Sequence, residues 1–144
     1  MRVLLLFIFA ISLVNCSGSG QRASAEIAAK NYIAGKLSGT PVDFQRFDKI
    51  DGLRTTVSSA EHYEYDFAYE VRFPDGFNAA CVNHEQDLGC EFAGSHFLKP
   101  LSPNDSLRFK GSVDLLKKES GWVAQSVSIS GATTCNMLTG CDKN

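Results

Sequence analysis

The spacing of apolar residues changes once along the chain, from a helical period to a strand period. Between Ser24 and Leu37, apolar side chains recur every three or four positions, which is typical of one face of an amphipathic helix. Ser24 is a suitable N-cap, whereas Gly39 and Pro41 end the helical pattern. We therefore predict one helix over residues 24–37.

After Pro41, apolar and polar residues alternate, as they do in a strand with one buried face. A first strand from Val42 is predicted to end in a hairpin turn at Asp51-Gly52, and a second covers residues 53–57. The clearest alternation runs from residue 62 to residue 73. Its apolar face carries Tyr63, Tyr65, Phe67, Tyr69, Val71 and Phe73.

Two more strands are predicted over residues 106–115 and 122–129, joined by a hairpin loop at 117–121 that ends in Gly121. The segments 77–103 and 131–144 show no sustained period. One helix followed by four to five antiparallel strands predicts an α+β domain in which a curved β-sheet packs around the helix. We expect this domain to span residues 25–130, followed by a cysteine-containing tail over 131–144.

The N-terminus has the pattern of a secretory signal. The apolar run Val3–Val14 is twelve residues long, whereas a helix that crosses a bilayer needs about twenty. Arg2 precedes the run and a small, polar segment follows it. Residues 1–15 are therefore predicted to be a signal peptide and not a membrane span.

The sequence Leu13-Val14-Asn15-Cys16 resembles the lipobox of bacterial lipoproteins, although Asn15 stands where that group usually has Gly, Ala or Ser. The resemblance implies that Cys16 is lipidated and anchors the protein in the bacterial cell envelope. Ser17 after it implies the outer membrane if the host is Gram-negative. Residues 16–24 would then be the lipidated cysteine and a flexible Gly/Ser tether. The alternative is an ordinary cleaved signal and an unpaired Cys16.

Four further cysteines are present, at Cys81, Cys90, Cys135 and Cys141. An even number in an exported domain favours two disulfide bonds. Three connectivities remain open, and among them we favour the local pairs, 81 with 90 and 135 with 141. The alternative is a zinc site of Cys81, His84, Cys90 and His96, but its spacing matches no common zinc module. No metal and no cofactor is expected.

Charge and motifs narrow the function classes. The 14 basic and 16 acidic residues nearly balance, and no basic stripe is interleaved with aromatic residues. Nucleic acid is therefore not an expected partner. The sequence has no nucleophile-elbow motif. Glu64, Asp66 and Glu70 share one strand face, which fits a solvated face better than acid–base catalysis, so we expect no enzyme.

Three segments together resemble a group of small, uncharacterised bacterial proteins related to the cystatin-like or nuclear-transport-factor-2-like cone folds. These segments are FDKIDG at 47–52, YEYDFAYEVRFPDGF at 63–77 and SLRFKGSVDLLKKESGW at 106–122. The resemblance implies a helix on a curved sheet and no particular activity. It does not extend to the cysteine-containing loop and tail.

These observations favour a non-catalytic protein-binding module of the cell envelope. Its expected partner is another envelope protein, bound through the cysteine-containing loop and the hairpin of Trp122. The main alternative is a small-molecule carrier with a cavity between helix and sheet. That cavity would be lined by Tyr32, Tyr63, Tyr65, Phe67 and Tyr69. A carboxylate-based enzyme is the third possibility.

Overall fold

A computed structural model describes residues 17–37, 39–77, 101–136 and 140–141. These residues form one α-helix and five strands. They are α1 (Ser17–Lys36), β1 (Asp43–Val57), β2 (Ala60–Arg72), β3 (Ser106–Lys118), β4 (Gly121–Asn136) and β5 (Gly140–Cys141). The strands form one antiparallel sheet in the order β1-β2-β3-β4-β5, and α1 packs on one face. The predicted α+β class is therefore confirmed.

The helix packs through a narrow stripe of small and branched side chains. Ala25, Ala29, Ile33 and Leu37 follow one another at four-residue spacing, and all are at most 4% exposed. The two alanines allow the helix axis to come close to the sheet, because they leave little side chain between the two layers. The apolar face predicted for this helix is confirmed.

The helix begins at Ser17 and not at Ser24, so the predicted flexible tether does not describe residues 17–24. Contacts with the sheet hold these first turns. The Arg22 guanidinium donates a hydrogen bond to the carbonyl oxygen of Phe47, at 2.7 Å. Ser24 is not an N-cap, because it lies inside the helix and its hydroxyl donates to the carbonyl oxygen of Trp122, at 2.8 Å.

The predicted hairpin turn at Asp51-Gly52 is wrong, because β1 continues through it. The chain forms a β-bulge between Lys49 and Asp51, and the Gly52 amide donates to the Asp51 carboxylate at 2.8 Å. The turn lies instead at Ser58 and Ser59, whose φ angles are 49° and 69°. Two consecutive positive φ angles are typical of a type I′ hairpin turn.

The alternation predicted for β2 is confirmed. Its aromatic face points toward the helix, and all six of its side chains are at most 8% exposed. The opposite face is more open, since Glu64 is exposed and Asp66 and Glu70 are half-buried. Ala68 is the exception on that face, with 1% exposure between its neighbours in adjacent strands.

The tail predicted to lack a strand period is partly strand. β4 continues to Asn136, so the expected domain boundary at residue 130 falls inside a strand. Residues 131–135 pair with 106–110 of β3, and the β-branched Thr133 and Thr134 fit this paired segment. Register shifts in β1 and along the β3–β4 pair bend the sheet around the helix.

Candidate functional site

The aromatic side chains predicted to line a carrier cavity form the hydrophobic core. Phe67 is fully buried, and its ring stacks on that of Phe47 with the centroids 5.4 Å apart. The ring of Tyr69 meets Phe47 edge-on at 5.1 Å. Tyr65 also stacks on Phe47, at 5.9 Å, and Tyr32 packs at the border of the core. These residues therefore pack against one another in the core between helix and sheet.

The tyrosines at the border of this core are paired with a lysine. Lys49 Nζ donates a hydrogen bond to the Tyr63 hydroxyl at 2.7 Å and lies 5.3 and 5.6 Å from the ring centroids of Tyr63 and Tyr65. The hydrogen bond raises the pKa of Lys49 above its usual value. Burial raises the pKa values of Tyr65 and Tyr69. Burial therefore favours the neutral form of Tyr65 and Tyr69, and the hydrogen bond to Tyr63 favours the charged form of Lys49.

Trp122, the second residue of β4, contacts the first turns of the helix. Its ring packs edge-on against Tyr63 at 6.1 Å, and Lys117 Nζ lies 5.2 Å from its centroid. The indole is half-buried, so Trp122 is only partly available as the partner anchor that the sequence suggested. Beside it lies a shallow groove of about 360 Å³. The groove is lined by Ser24, Ile27, Ala28, Asn31, Trp122, Val123 and Ala124.

The outer face of the sheet carries ion pairs. Asp48 accepts from Arg46 and Arg108, both at 2.9 Å, and His62 lies 3.5 Å from Asp114. A depression of about 320 Å³ also opens there, lined by Ile50, Asp66, Lys110, Gly111, Ser112, Ser128 and Ser130. Within the described part of the chain, no three His, Cys, Asp or Glu side chains are placed to hold a metal ion.

The exposed apolar side chains are concentrated on β1. Among the described residues, four large apolar side chains are strongly exposed, and three of them are Ile50, Leu53 and Val57, at 55%, 60% and 58%. Leu53 and Val57 lie on the outer face of the strand, and Ile50 lines the depression on that face. In the order of the described strands, β1 is at the edge of the sheet.

Sequence reasoning missed this surface. Placing a turn at Asp51-Gly52 divided β1 into two short strands and hid the common face of its apolar residues. Exposure also depends on which strand lies at the sheet edge, and alternation alone does not reveal the strand order. An edge strand presents unpaired backbone amide and carbonyl groups, so it is able to accept a further strand.

Only some of the cysteines with predicted roles lie among the residues that the structure describes. Cys16, Cys81 and Cys90 lie outside the described residues, as do the two histidines of the alternative zinc site. Cys135 is disulfide-bonded, and its Cα partner in the β4–β5 pairing is Cys141. Directly paired antiparallel residues have Cα atoms about 4.5–5.5 Å apart, within the range of a disulfide. This register supports the predicted 135–141 bond, which stays a prediction.

No protein-family model, curated protein or solved structure matches this chain. Within the residues that the structure describes, no helix combines the length and the apolar character needed to cross a membrane.

Proposed function

We propose that this protein is a lipid-anchored, non-catalytic module of the bacterial cell envelope that binds another envelope protein. The observation that carries this proposal is the exposed apolar stripe of Ile50, Leu53 and Val57 on the edge strand β1. The lipobox resemblance at Cys16 supports the anchor. The buried aromatic face of β2 gives no comparable support to a carrier.

The edge of β1 fits a partner segment in extended conformation. Such a segment would align with β1 and form backbone hydrogen bonds, as in β-strand addition. Apolar side chains at alternate positions of the segment would pack beside Leu53 and Val57, because residues paired across two strands share a face. The partner is therefore expected to contribute a short strand with apolar residues at every second position.

Natural proteins usually protect a long edge strand, and β1 is only partly protected. Two register shifts interrupt its pairing, and Arg46 and Arg54 carry charge along it. Over residues 50–57, however, the exposed side chains include the three apolar residues named above. We place the binding segment here because desolvating these side chains favours association.

Site-specific photocrosslinking in intact envelopes tests the proposal. A photoreactive residue at position 53 should crosslink one recurrent protein, and the linked peptide should be a predicted strand with alternating apolar residues. The same photoreactive residue at position 27 is the matched control. Ile27 is 61% exposed, nearly the same as Leu53 at 60%, but it lies on α1. Val57→Asp should reduce the crosslink at position 53.

Hydrogen exchange with the identified partner locates the contact. Binding should slow the exchange of β1 amides within residues 50–57 more than that of amides in α1. Equal crosslinking at positions 53 and 27, or protection confined to α1, would refute strand addition at β1.

A further inference from the structure

The start of the helix and two hairpin turns lie at the same end of the domain. α1 runs opposite to β1, because Arg22 bonds to Phe47 whereas Lys30, further along the helix, lies over the ring of Phe44. All strand pairs from β1 to β4 are antiparallel, so α1 runs in the direction of β4, and Ser24 bonds to Trp122 near the start of that strand. Following both elements backwards leads to Ser17 in the helix and to the turn at 119–120 in the sheet.

The other hairpin turn is at this end too. His62 pairs with Leu116 near the end of β3, and Val57 pairs with Ala60 around the turn at Ser58 and Ser59. The first described helical residue, both hairpin turns and Trp122 therefore share one end of the domain.

Only the peptide bond separates Ser17 from Cys16. A residue in a helix advances about 1.5 Å, so Ser17 lies about 4.5 Å before Gly20 along the axis. Covalent geometry alone keeps the Cα atom of Cys16 within about 3.8 Å of that of Ser17. Gly20 itself is adjacent to Trp122, since a Cβ at Gly20 would be 3.7 Å from the Trp122 ring. An acyl group on Cys16 would begin close to this end of the domain.

The chemistry of this end suits a lipid surface. Lys117 and Lys118 are exposed, and Glu119 is the acidic residue next to them in the turn. Arg54 is balanced by Glu61, at 3.1 Å. The Trp122 indole combines an apolar body with a polar N–H, which suits the boundary between headgroups and acyl chains. Lysines attract acidic headgroups, and their flexible stems can reach the membrane surface.

We infer that this end rests on the membrane that carries the anchor, where Lys117 and Lys118 contact acidic phospholipid headgroups. The inference rests on the lipid anchor of the proposed function. Since α1 is docked on the sheet from its first turns, the domain would be held in a fixed orientation on the membrane. The strands would then extend away from the membrane. The edge of β1 would point sideways, parallel to the membrane surface.

Trp122 is the only tryptophan of the chain and provides the measurement. The full lipidated protein is placed in vesicles of phosphatidylglycerol and phosphatidylcholine, and quenching of Trp122 fluorescence by brominated lipids is recorded. We expect quenching that grows with the phosphatidylglycerol fraction. It should weaken in high salt, because salt screens exposed charges.

Charge variants test whether membrane contact depends on the lysines at this end or on positive charge elsewhere on the surface. Lys117→Gln with Lys118→Gln should shift the equilibrium away from the membrane-contacting orientation about fivefold for each lysine at low salt. Lys30→Gln with Lys36→Gln is the matched control, because it removes the same charge from the middle and far end of α1. The control pair should leave the quenching unchanged.

The outcomes distinguish this inference from the proposed function. Quenching that depends on Lys117 and Lys118 supports the orientation. A protein that stays in the vesicles through Cys16 but shows no quenching of Trp122 overturns the orientation and leaves the anchor intact. Membrane association that is absent, or that is unchanged by Cys16→Ser, overturns both the anchor and the orientation. Crosslinking at position 53 tests partner binding separately.

Discussion

The ring of Tyr63 covers Gly52, because its side chain fills the space where a Cβ at residue 52 would lie. The two residues belong to adjacent strands, and the Tyr63 hydroxyl accepts the hydrogen bond from Lys49. A glycine at this position therefore allows β1 to pack closely against the Tyr63 side chain of β2, and it does not form a hairpin turn. The β-bulge just before it brings the strand under the tyrosine ring.

Gly52→Ala should destabilise the fold, because the added methyl group collides with a buried aromatic ring. We expect the free energy of unfolding to fall by about 1–3 kcal/mol, the usual effect of overpacking. Chemical denaturation monitored by circular dichroism measures the change.

Gly35→Ala is the control for this substitution. Gly35 lies in an exposed part of α1, and a Cβ there would meet no other described part of the chain within 4 Å, its own helix turns aside. This variant should be neutral or stabilise the helix by up to about 1 kcal/mol. Equal stability of Gly52→Ala and the original protein would contradict the packing described for Tyr63.

Substitutions in the turn between β1 and β2 should increase the stability of the fold. Ser58 and Ser59 both adopt positive φ, which costs a serine more than it costs asparagine or glycine. Replacing them by Asn and Gly gives the sequence preferred in type I′ turns. We expect the double variant to raise the free energy of unfolding by about 0.5–2 kcal/mol.

The same Asn-Gly pair at positions 119 and 120 is the control for this substitution, because neither residue there has positive φ. A loss of stability at 58–59 would argue against the turn type.

The raised pKa values predict a loss of stability at high pH. Tyr65 and Tyr69 are held neutral by burial, and Lys49 is held charged by its hydrogen bond to Tyr63. Between the unfolded and folded pKa values, the folded protein binds more protons than the unfolded chain, so the free energy of unfolding falls as pH rises. The stabilisation is complete below about pH 10 and is lost above it.

Urea denaturation at several pH values from about 8 to about 11.5, a range that brackets the ordinary tyrosine pKa, measures this dependence. Tyr65→Phe with Tyr69→Phe should flatten the alkaline decline, because phenylalanine has no proton to lose. Tyr32→Phe is the control at a partly buried tyrosine outside the β2 face. An unchanged slope in the double variant would show that burial of these two hydroxyl groups does not govern the alkaline transition.

The sequence pattern predicts the elements whose periodicity is uninterrupted. The alternation of β2 and the stripe of Ala25, Ala29 and Ile33 both reflect a single buried face, and both are found in the structure. The turn is harder to place, because Asp-Gly fits a bulge as well as a hairpin and two serines carry no strong turn signal. The first helical turns resemble a tether because their Gly/Ser composition has low helix propensity, for which tertiary contacts such as the Arg22 hydrogen bond compensate.

The candidate site is less predictable than the fold. Trp122 and the tyrosines are identified by residue type, but type does not separate a ligand-binding aromatic from a core aromatic. The distances between the ring centroids make this distinction, because they show that the rings pack against one another. The exposure of Leu53 and Val57 follows from strand order, which arises from pairing between distant segments.

Two isoleucines on the same helix should have unequal effects when truncated. Ile33 is fully buried in the core, whereas Ile27 is 61% exposed. Ile33→Ala should lower the free energy of unfolding by about 2–4 kcal/mol, because it removes buried apolar surface and leaves a cavity. Ile27→Ala should change it by less than about 0.5 kcal/mol, as is usual at exposed sites. Since both variants gain the same helix propensity, the difference between their denaturation midpoints reports the burial of α1 on the sheet. Equal effects of the two substitutions would mean that α1 does not pack on the sheet through the face that carries Ile33.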